Sequence, residues 1–339
     1  MGRVEERKQR KKKRSKKRLY IILTVLFIAL AGVVYYIYES MQAAGESYND
    51  LDGREKSDLR TESVALGKDP SSILVMGVEN YEDPNSRGRT DTMMVLTFNP
   101  KDNSVKMVSL PRDTRVEIAE RGTMDKVNHA YAFGGTEMAI HTVEKFLDIP
   151  IDYYAEIDFD AFVNIVDLVG GVTVTVPFDF EEKTMHPGSR WVEFKEGEQH
   201  VSGEEALAFV RMRKQDPRGD IGRNARQQEL LKSLVDEAVK LRNVTKIDDL
   251  GRVIGENVTT NVKVSDGLSL FMSMSSFSSD NLESISYDTN PQRINGISYQ
   301  IPVQESVEEV RNALKEHLEL NSIESSQTQT TDVESDQAS

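Results

Sequence analysis

A basic cluster in an otherwise acidic chain is the most informative chemical feature of the sequence. Residues 211–226, RMRKQDPRGDIGRNAR, include six basic residues and two acids, a local charge of +4. The whole chain of 339 residues has a formal net charge of −14. Guanidinium groups present forks of N–H donors that match phosphate oxygens, so this cluster favours a phosphorylated ligand.

The spacing within the cluster indicates one shared target. Arg211 and Arg213 are two residues apart and point the same way if this segment is extended. Arg223 follows the turn-forming sequence DPRGDIG and opens a predicted helix, whose N-terminus adds free N–H groups for an anion. Gln227, four residues later, lies on the same helical face. We therefore predict a phosphate or pyrophosphate site.

A simpler interpretation of the same segment stays open. Charge runs are often solvated, and the arginines can instead form surface ion pairs with Asp216 and Asp220. In either case Lys214 and Arg218 are predicted to be solvated loop charges.

Carboxylates follow or precede predicted strands in the N-terminal half of the chain. Glu79 follows the apolar run SILVMGV, and Asp91 precedes MMVLTF. Ligands bind at strand ends in α/β sheets, so these two carboxylates can share one divalent cation such as Mg²⁺. Asp91 has a local alternative, which is to cap a turn or pair with Arg89. Arg112 and Asp113 come just after a third predicted strand and belong to the same candidate site.

Other types of active site are not indicated by the sequence. The chain contains no cysteine, and none of its five histidines forms a pair with metal-ligand spacing. Neither the phosphate-loop pattern G-x-x-x-x-G-K-[ST] nor the nucleophile pattern G-x-S-x-G occurs.

Strands alternate with helices along the chain, which predicts an α/β fold with helices on both faces of a central sheet. The sequence TMMVLTFNPKDNSVKMVSL indicates two strands joined by a tight turn, so the sheet is predicted to be mixed. The predicted helices are GGTEMAIHTVEKFLDIP, DFDAFVNIVDLVGG and NARQQELLKSLVDEAVKL.

The N-terminus predicts a membrane anchor. Residues 1–18 contain eleven Lys and Arg and two Glu, a net charge of +9, and residues 19–38 are apolar without a charge. Twenty residues at helical rise match a bilayer core, and the basic flank keeps the N-terminus in the cytoplasm. A cleaved signal peptide is the alternative. The remainder, with −14 − 9 = −23 charges, is then extracellular and too acidic to bind nucleic acid through its bulk charge.

The predicted organisation has five parts. Residues 1–18 form a basic cytoplasmic tail, 19–38 a transmembrane signal anchor, 39–70 a stalk or linker, 71–320 an extracellular catalytic domain, and 321–339 a disordered acidic tail.

Several motifs together resemble those of the LytR–CpsA–Psr family of Gram-positive cell-wall enzymes. They are RTDTMMVLTFNP, MVSLPRDT, DKVNHAYAFGG, VDLVGGVTVTV and GEQHVSGEEALAFVRMRKQDPRGDIGRNARQQ, in this order. The resemblance covers about residues 72–241. It implies the α/β/α fold of that family, on a type II single-pass anchor in the cell membrane with the catalytic domain on the extracellular face.

The family resemblance also implies an activity. Such enzymes are phosphotransferases that move a glycopolymer from a polyprenyl-pyrophosphate carrier in the membrane lipid onto a peptidoglycan hydroxyl. The chain is most similar to the branch that transfers teichoic acid, and a pyrophosphatase side activity is the close variant. Two further functions stay open, a membrane-bound transcriptional regulator and a non-catalytic wall protein that binds glycopolymers.

The residue roles implied by the resemblance agree with the strand-end analysis. Mg²⁺ or Mn²⁺ would be held by Glu79 and Asp91, although family members often have Asp at the first position. The pyrophosphate-binding and catalytic side chains would be Arg89, Arg112, Arg211, Arg213, Arg223 and Gln227. The proton acceptor for the acceptor hydroxyl would be Asp113 or a carboxylate near the metal.

Overall fold

The computed structural model describes residues 49, 51, 54, 56–79, 88–185, 188–240, 258–263, 266, 267, 270 and 277–320. The side chains of Glu79, Arg89 and Asp220 are outside this description. The predicted basic tail 1–18, membrane span 19–38 and acidic tail 321–339 also lie outside the described residues. Among the helices of the described ranges, none is long and apolar enough to cross a bilayer.

A six-stranded mixed sheet forms the centre of the fold. Its strands, in spatial order, are β11 (Val258–Thr260), β6 (Tyr153–Ile157), β1 (Ser71–Glu79), β2 (Arg89–Asn99), β3 (Ser104–Ser109) and β12 (Leu282–Ile285). β1 is parallel to β6 and antiparallel to β2, and β3 is antiparallel to β2 and parallel to β12. The predicted mixed sheet is therefore confirmed, including the tight hairpin of β2 and β3.

Helices cover both faces of this sheet, as predicted. Side chains alternate along β2, so Met93 and Val95 face one way and Leu96 and Phe98 the other. The first face packs against α1 (His129–Leu147) and α5 (Gln304–His317). The second packs against α4 (Asp220–Lys240). Burial on both faces explains the continuous apolar sequence of the central strands.

A second apolar cluster lies beside the sheet and carries the basic segment. Its elements are α2 (Phe159–Leu168), β7 (Val172–Val176), β8 (Phe180–Lys183), β9 (Trp191–Phe194), β10 (Gly197–Val201) and α3 (Gly203–Arg211). The rings of Phe180 and Phe194 stack with centroids 4.6 Å apart. α3 begins with a capping box in which the backbone N–H of Ser202 donates to Glu205 Oε2 at 3.1 Å. Because α3 ends at Arg211, this cluster sets where the basic segment starts.

Two helices begin earlier than predicted. α1 starts at His129 instead of Gly134, and α4 starts at Asp220 instead of Arg223. Within α1, Gly135 has a φ of 70°, so the helix contains a break where the predicted helix begins. Two further hairpins complete the fold, β4 (Arg115–Ile118) with β5 (Thr123–Lys126), and β13 (Thr289–Ile294) with β14 (Ile297–Pro302).

Part of the predicted linker 39–70 is attached to the sheet and to α1 by ion pairs that are largely shielded from solvent. Arg60 donates to both carboxylate oxygens of Asp152 at 3.0 and 2.8 Å, and Arg54 donates to Glu144 Oε1 at 2.6 Å. The hydroxyl of Ser57 donates to the same Glu144 oxygen at 2.6 Å. Asp152 precedes β6 and also accepts from the N–H of Ser72 at the start of β1. These residues thus hold the segment at the N-terminal ends of β1 and β6.

A buried histidine joins the end of α5 to the β2–β3 hairpin. His317 Nδ1 lies 2.8 Å from Thr97 Oγ1, and its Nε2 lies 2.7 Å from Ser104 Oγ. The hydroxyl of Ser104 also contacts Asp102. Burial lowers the pKa of His317 from its ordinary value of 6.5, an effect that the nearby Asp102 charge opposes. The folded protein therefore favours the neutral ring.

This shift predicts how stability depends on pH. Above about pH 6.5 the ring is neutral in both states, whereas below it the unfolded chain takes up the proton first. The contribution of His317 is thus fully present above the unfolded pKa and is lost as the pH falls through the folded pKa. We expect His317→Gln to flatten the decline in the free energy of unfolding between about pH 7 and pH 5, measured by urea denaturation.

The matched control is His200→Gln, since His200 is an exposed histidine on β10. This variant should keep the wild-type decline. An equal decline in wild type and His317→Gln would show that other groups cause it.

Candidate active site

Asp91 occupies a β-bulge at the edge of the central sheet where β1 ends and β2 begins. Gly77 of β1 is paired with Thr92 and Val78 with Thr90, so Asp91 is an extra residue on β2. A bulge re-aims the side chain that it carries. Arg112 Nη1 donates to Asp91 Oδ1 at 2.7 Å. The structure therefore brings together two of the predicted site residues from different strand ends.

The strand order explains this meeting. β3 ends at Ser109, and the N–H of Leu110 donates to the carbonyl of Met93 at 2.9 Å, which places the following residues beside the start of β2. The side chains of Arg112 and Asp91 are 28% and 35% exposed, so their ion pair contributes at most about 1 kcal/mol to folding. The ion pair therefore adds little to stability. Its main effect is to orient two charged side chains at a solvent-accessible edge of the sheet.

The first turns of α4 lie on the same edge. Gln227 Nε2 donates to Thr92 Oγ1 at 2.9 Å, next to Asp91 in the chain. Gln228 Nε2 donates to Ser109 Oγ at 2.9 Å, at the end of β3. Arg223, one turn earlier in α4, is 7% exposed. Gln227 thus lies next to the strand-end residues, and its role in binding phosphate stays a prediction.

Thr92 and Ser109 are positioning residues that the sequence analysis missed. The available signal was the consecutive pair Gln227 and Gln228 near a helix start, which needs polar partners on whatever surface the helix covers.

Arg211 lies at the same edge of the sheet, on the side of β6. Its Cζ lies 5.6 Å from the ring centroid of Phe159, the first residue of α2, directly after β6. The prediction that Arg211 belongs to an extended segment is wrong, because it is the last residue of α3. The chain becomes extended at Met212, with φ −54° and ψ 131°, and Arg213 follows as an exposed residue.

Asp113 lies beside Arg112 but is engaged in an ion pair. Lys126 Nζ donates to Asp113 Oδ1 at 2.6 Å, and both side chains are 19% exposed. The backbone carbonyl of Asp113 accepts from the N–H of Gln300 at 2.8 Å. The residue is thus fixed close to the candidate site, and its role as proton acceptor stays a prediction.

The backbone positions of Glu79 and Asp91 fit a shared divalent cation. Glu79 is paired with Arg89 at the end of the β1–β2 ladder, and Asp91 is two residues further along β2. In a regular antiparallel ladder, residues offset in this way are about 7–8 Å apart between Cα atoms, and the bulge at Asp91 then decides whether its side chain converges with that of Glu79 on one ion. Among the side chains that the structure describes, no group of three or more His, Asp or Glu can hold a metal. Two carboxylates suffice for Mg²⁺ when water and phosphate complete its shell.

The ion-pair interpretation of the basic segment is confirmed for part of it. Asp216 pairs with Arg226 and, at 3.4 Å, with Arg218, whose side chain is half exposed. Burial disfavours the charged form of Asp216, but hydrogen bonds from Arg218 and Arg226 outweigh this and lower its pKa. Arg226 is fully buried, which the sequence analysis did not predict. Lys214 is exposed, as predicted.

Comparison with known proteins places this arrangement in context. The family described as LytR_cpsA_psr matches residues 34–316 of the chain. The chain is 43% identical over 305 residues to the polyisoprenyl-teichoic acid–peptidoglycan teichoic acid transferase TagV of Bacillus subtilis, covering 89% of this chain and 78% of TagV. It is 44% identical over 304 residues to the transferase TagU of Halalkalibacterium halodurans, covering 89% and 97% of the two chains.

Solved structures show the same fold. The crystal structure of Bacillus subtilis TagV superposes with a TM-score of 0.68 at 43% identity, covering 74% of this chain and 98% of that chain. A structure of the LytR-CPS2A-psr family protein YwtF (TagT) with bound octaprenyl pyrophosphate lipid superposes with a TM-score of 0.62 at 30% identity, covering 80% and 99%.

The strand-end geometry predicts a response to divalent cations. If Asp91 is a ligand, Mg²⁺ at about 100 times its Kd should raise the free energy of unfolding of the wild type by about 2.7 kcal/mol. We expect Asp91→Asn to lose most of this increase, measured by chemical denaturation with and without Mg²⁺.

The control variant is Asp280→Asn. Asp280 is an exposed acid that precedes β12, and Leu282 of β12 pairs with Val105 near the start of β3, at the other end of the sheet. Its response to Mg²⁺ should equal that of the wild type. A full response in Asp91→Asn would remove Asp91 from the metal site.

Proposed function

The chain belongs to the LytR_cpsA_psr family, and we propose that it transfers a glycopolymer from a polyprenyl-pyrophosphate carrier to a hydroxyl of peptidoglycan. The observation that carries this proposal is the convergence of Arg112, Gln227 and Arg211 on the sheet edge that bears Asp91. Arginine cations beside carboxylates suit a pyrophosphate that carries a divalent ion. A site for a sugar or a peptide does not need this combination.

The names of the relatives support the type of substrate. TagV and TagU are named as transferases of teichoic acid to peptidoglycan, and the TagT structure holds octaprenyl pyrophosphate. We therefore propose wall teichoic acid as the polymer and a polyprenyl pyrophosphate as its carrier.

The reaction that we propose is a displacement at phosphorus. The acceptor hydroxyl forms a bond to the phosphorus next to the sugar, and the bond from that phosphorus to the bridging oxygen breaks. Polyprenyl phosphate leaves, and the acceptor proton passes to a base. Phosphoryl transfer of this kind depends on positioning and on neutralising charge, which arginines provide.

Each side chain then has a definite task. Arg112, already oriented by Asp91, would bind the phosphate oxygens nearest to β2 and β3. Arg211 and Arg213, at the end of α3, would bind the leaving phosphate, where negative charge grows most. Arg223 and Gln227 would complete the pocket from α4, and Arg89 would contribute from the start of β2. Asp113, or a carboxylate close to the metal, would accept the proton.

Mg²⁺ or Mn²⁺ is the cofactor that these residues would hold. Asp91 and Glu79 would bind it, and the ion would supply further neutralisation of phosphate charge.

The membrane location forms part of the same proposal. We propose residues 19–38 as a type II signal anchor, with the domain on the extracellular face of a Gram-positive cell. The anchor would place the protein in the membrane that contains the carrier lipid.

Arg213 offers the sharpest test of this function, because its basic neighbour Lys214 is also exposed. Removal of one hydrogen-bonded guanidinium from a charged transition state costs about 3 kcal/mol, or about 100-fold in rate. We expect Arg213→Ala to lose about that factor in transfer of a lipid-linked glycan to peptidoglycan, with its thermal midpoint unchanged. Lys214→Ala removes the same charge from the next residue and should stay within about twofold of the wild type.

The products of the same assay separate the alternatives. Release of polyprenyl phosphate that requires the acceptor supports transfer. Release without an acceptor would indicate a pyrophosphatase, and carrier binding without release would indicate a glycopolymer-binding protein. Equal losses in Arg213→Ala and Lys214→Ala would indicate a general charge effect instead of a site.

A further inference from the structure

A fully buried ion pair lies behind the basic segment. The side chain of Arg226 is 1% exposed and that of Asp216 is 0% exposed, and Nη1 of Arg226 donates to Oδ2 of Asp216. The rings of Phe180 and Phe209 lie beside the guanidinium, each with its centroid 5.9 Å from Cζ. Arg226 is the largest fully buried side chain among the described residues. The mechanism proposed above makes no use of it.

The guanidinium of Arg226 also closes the end of α3. Its Nε donates to the carbonyl of Phe209 at 3.0 Å, and its Nη2 donates to the carbonyl of Met212. Carbonyls at a helix C-terminus lack partners within the helix, so a donor from elsewhere determines how the chain leaves it. This exit lies between Arg211 and Arg213.

Asp216 fixes the part of the basic segment that follows Arg213. Its Oδ1 accepts from the N–H of Arg218 at 2.8 Å, and its carbonyl accepts from the N–H of Gly219 at 2.9 Å. The carboxylate lies directly against α4 at Gly222, where an added Cβ would be 1.8 Å from Asp216 Oδ2. The turn is therefore pressed against the first turn of α4, next to Arg223.

We propose that Asp216 and Arg226, hereafter the buried clamp, are positioning residues that set the distance between Arg211 and Arg213 on one side and Arg223 and Gln227 on the other. The clamp joins the end of α3, the turn and α4 into one rigid unit. It acts through these side chains and does not contact substrate. This inference rests on the proposed function, since it assigns the clamp to the pyrophosphate site.

The chemistry of the clamp separates positioning from stability. Replacement of both members of a buried ion pair by neutral groups of similar size is often neutral or stabilising. No neutral side chain of that shape donates to a carboxylate and two carbonyls at once. A protein that needed only stability here would tolerate the exchange, whereas one that needs the two arginine groups at a set distance would not.

The main test is the double variant Asp216→Asn with Arg226→Met in the full-length chain. Single loss of either partner leaves a buried charge and is expected to unfold much of the protein, whereas the double variant should recover a thermal midpoint near that of the wild type. We expect kcat for glycan transfer to fall about 100-fold in this variant, the loss that a displacement of about 1 Å causes. Wild-type kcat at wild-type stability would overturn the proposal.

Gly222→Ala tests the same idea with both charges retained. The added methyl group occupies the place of the Asp216 carboxylate and should move the turn away from α4. We expect kcat to fall at least 10-fold. The control is Arg218→Ala, since Arg218 contacts the same carboxylate from the exposed side, and its kcat should stay within about twofold of the wild type. Full activity in Gly222→Ala with an intact fold would argue against positioning.

Binding separates failure of this proposal from failure of the proposed function. Inorganic pyrophosphate with Mg²⁺ is titrated calorimetrically into the wild type, the double variant and Arg218→Ala. Weaker binding in the double variant alone supports the clamp even if no transfer is detected for any protein. Equal binding in all three, together with wild-type transfer, would reject the clamp and leave the proposed function intact. Absence of both binding and transfer in the wild type would reject the proposed function and, with it, the clamp.

Discussion

Guanidinium groups that lie close together repel each other. This repulsion is the main constraint on the part of the molecule that carries the candidate site. Two like charges about 6 Å apart repel by about 3 kcal/mol at an effective dielectric constant near 20. Flexible arginines would relieve this repulsion by moving apart into solvent. The structure opposes such movement with separate supports: Asp91 for Arg112, the ring of Phe159 for Arg211, and Asp216 for Arg226. The first two supports fix cations of the proposed anion site, and the third fixes a buried cation behind it.

These supports belong to two packing units that meet at α4. The strand order of the central sheet sets the position of Asp91 and Arg112, while the rings of Phe180 and Phe194 pack against Phe209 near the end of α3. Gln227 and Gln228 connect α4 to the sheet through hydroxyl groups at the strand ends. A single helix therefore carries the contacts that set one group of arginines relative to the other.

The sequence predicted those parts of the site that follow from periodicity and strand direction. Alternating and continuous apolar runs indicate the hairpin of β2 and β3, and a hairpin brings Asp91 and Arg112 to the same edge. The bulge at Asp91 was not predictable, because the extra residue is recognised only from the pairing with β1. The burial of Arg226 was also hidden. The sequence does not distinguish the six basic residues of the segment from one another. Only the folded structure shows that Phe180, from a distant strand, covers Arg226.

The buried ion pair holds α3 in one position against α4 more strictly than apolar contacts alone would. Apolar attraction is non-directional, whereas hydrogen bonds weaken steeply with misalignment. Arg226 binds the carbonyls of Phe209 and Met212 and the carboxylate of Asp216, so a shift of α3 against α4 breaks several bonds together. Cooperative polar contacts of this kind favour a single arrangement. A site that neutralises a transition state needs that property more than it needs additional stability, because charge stabilisation falls as soon as the donors drift from the phosphate oxygens.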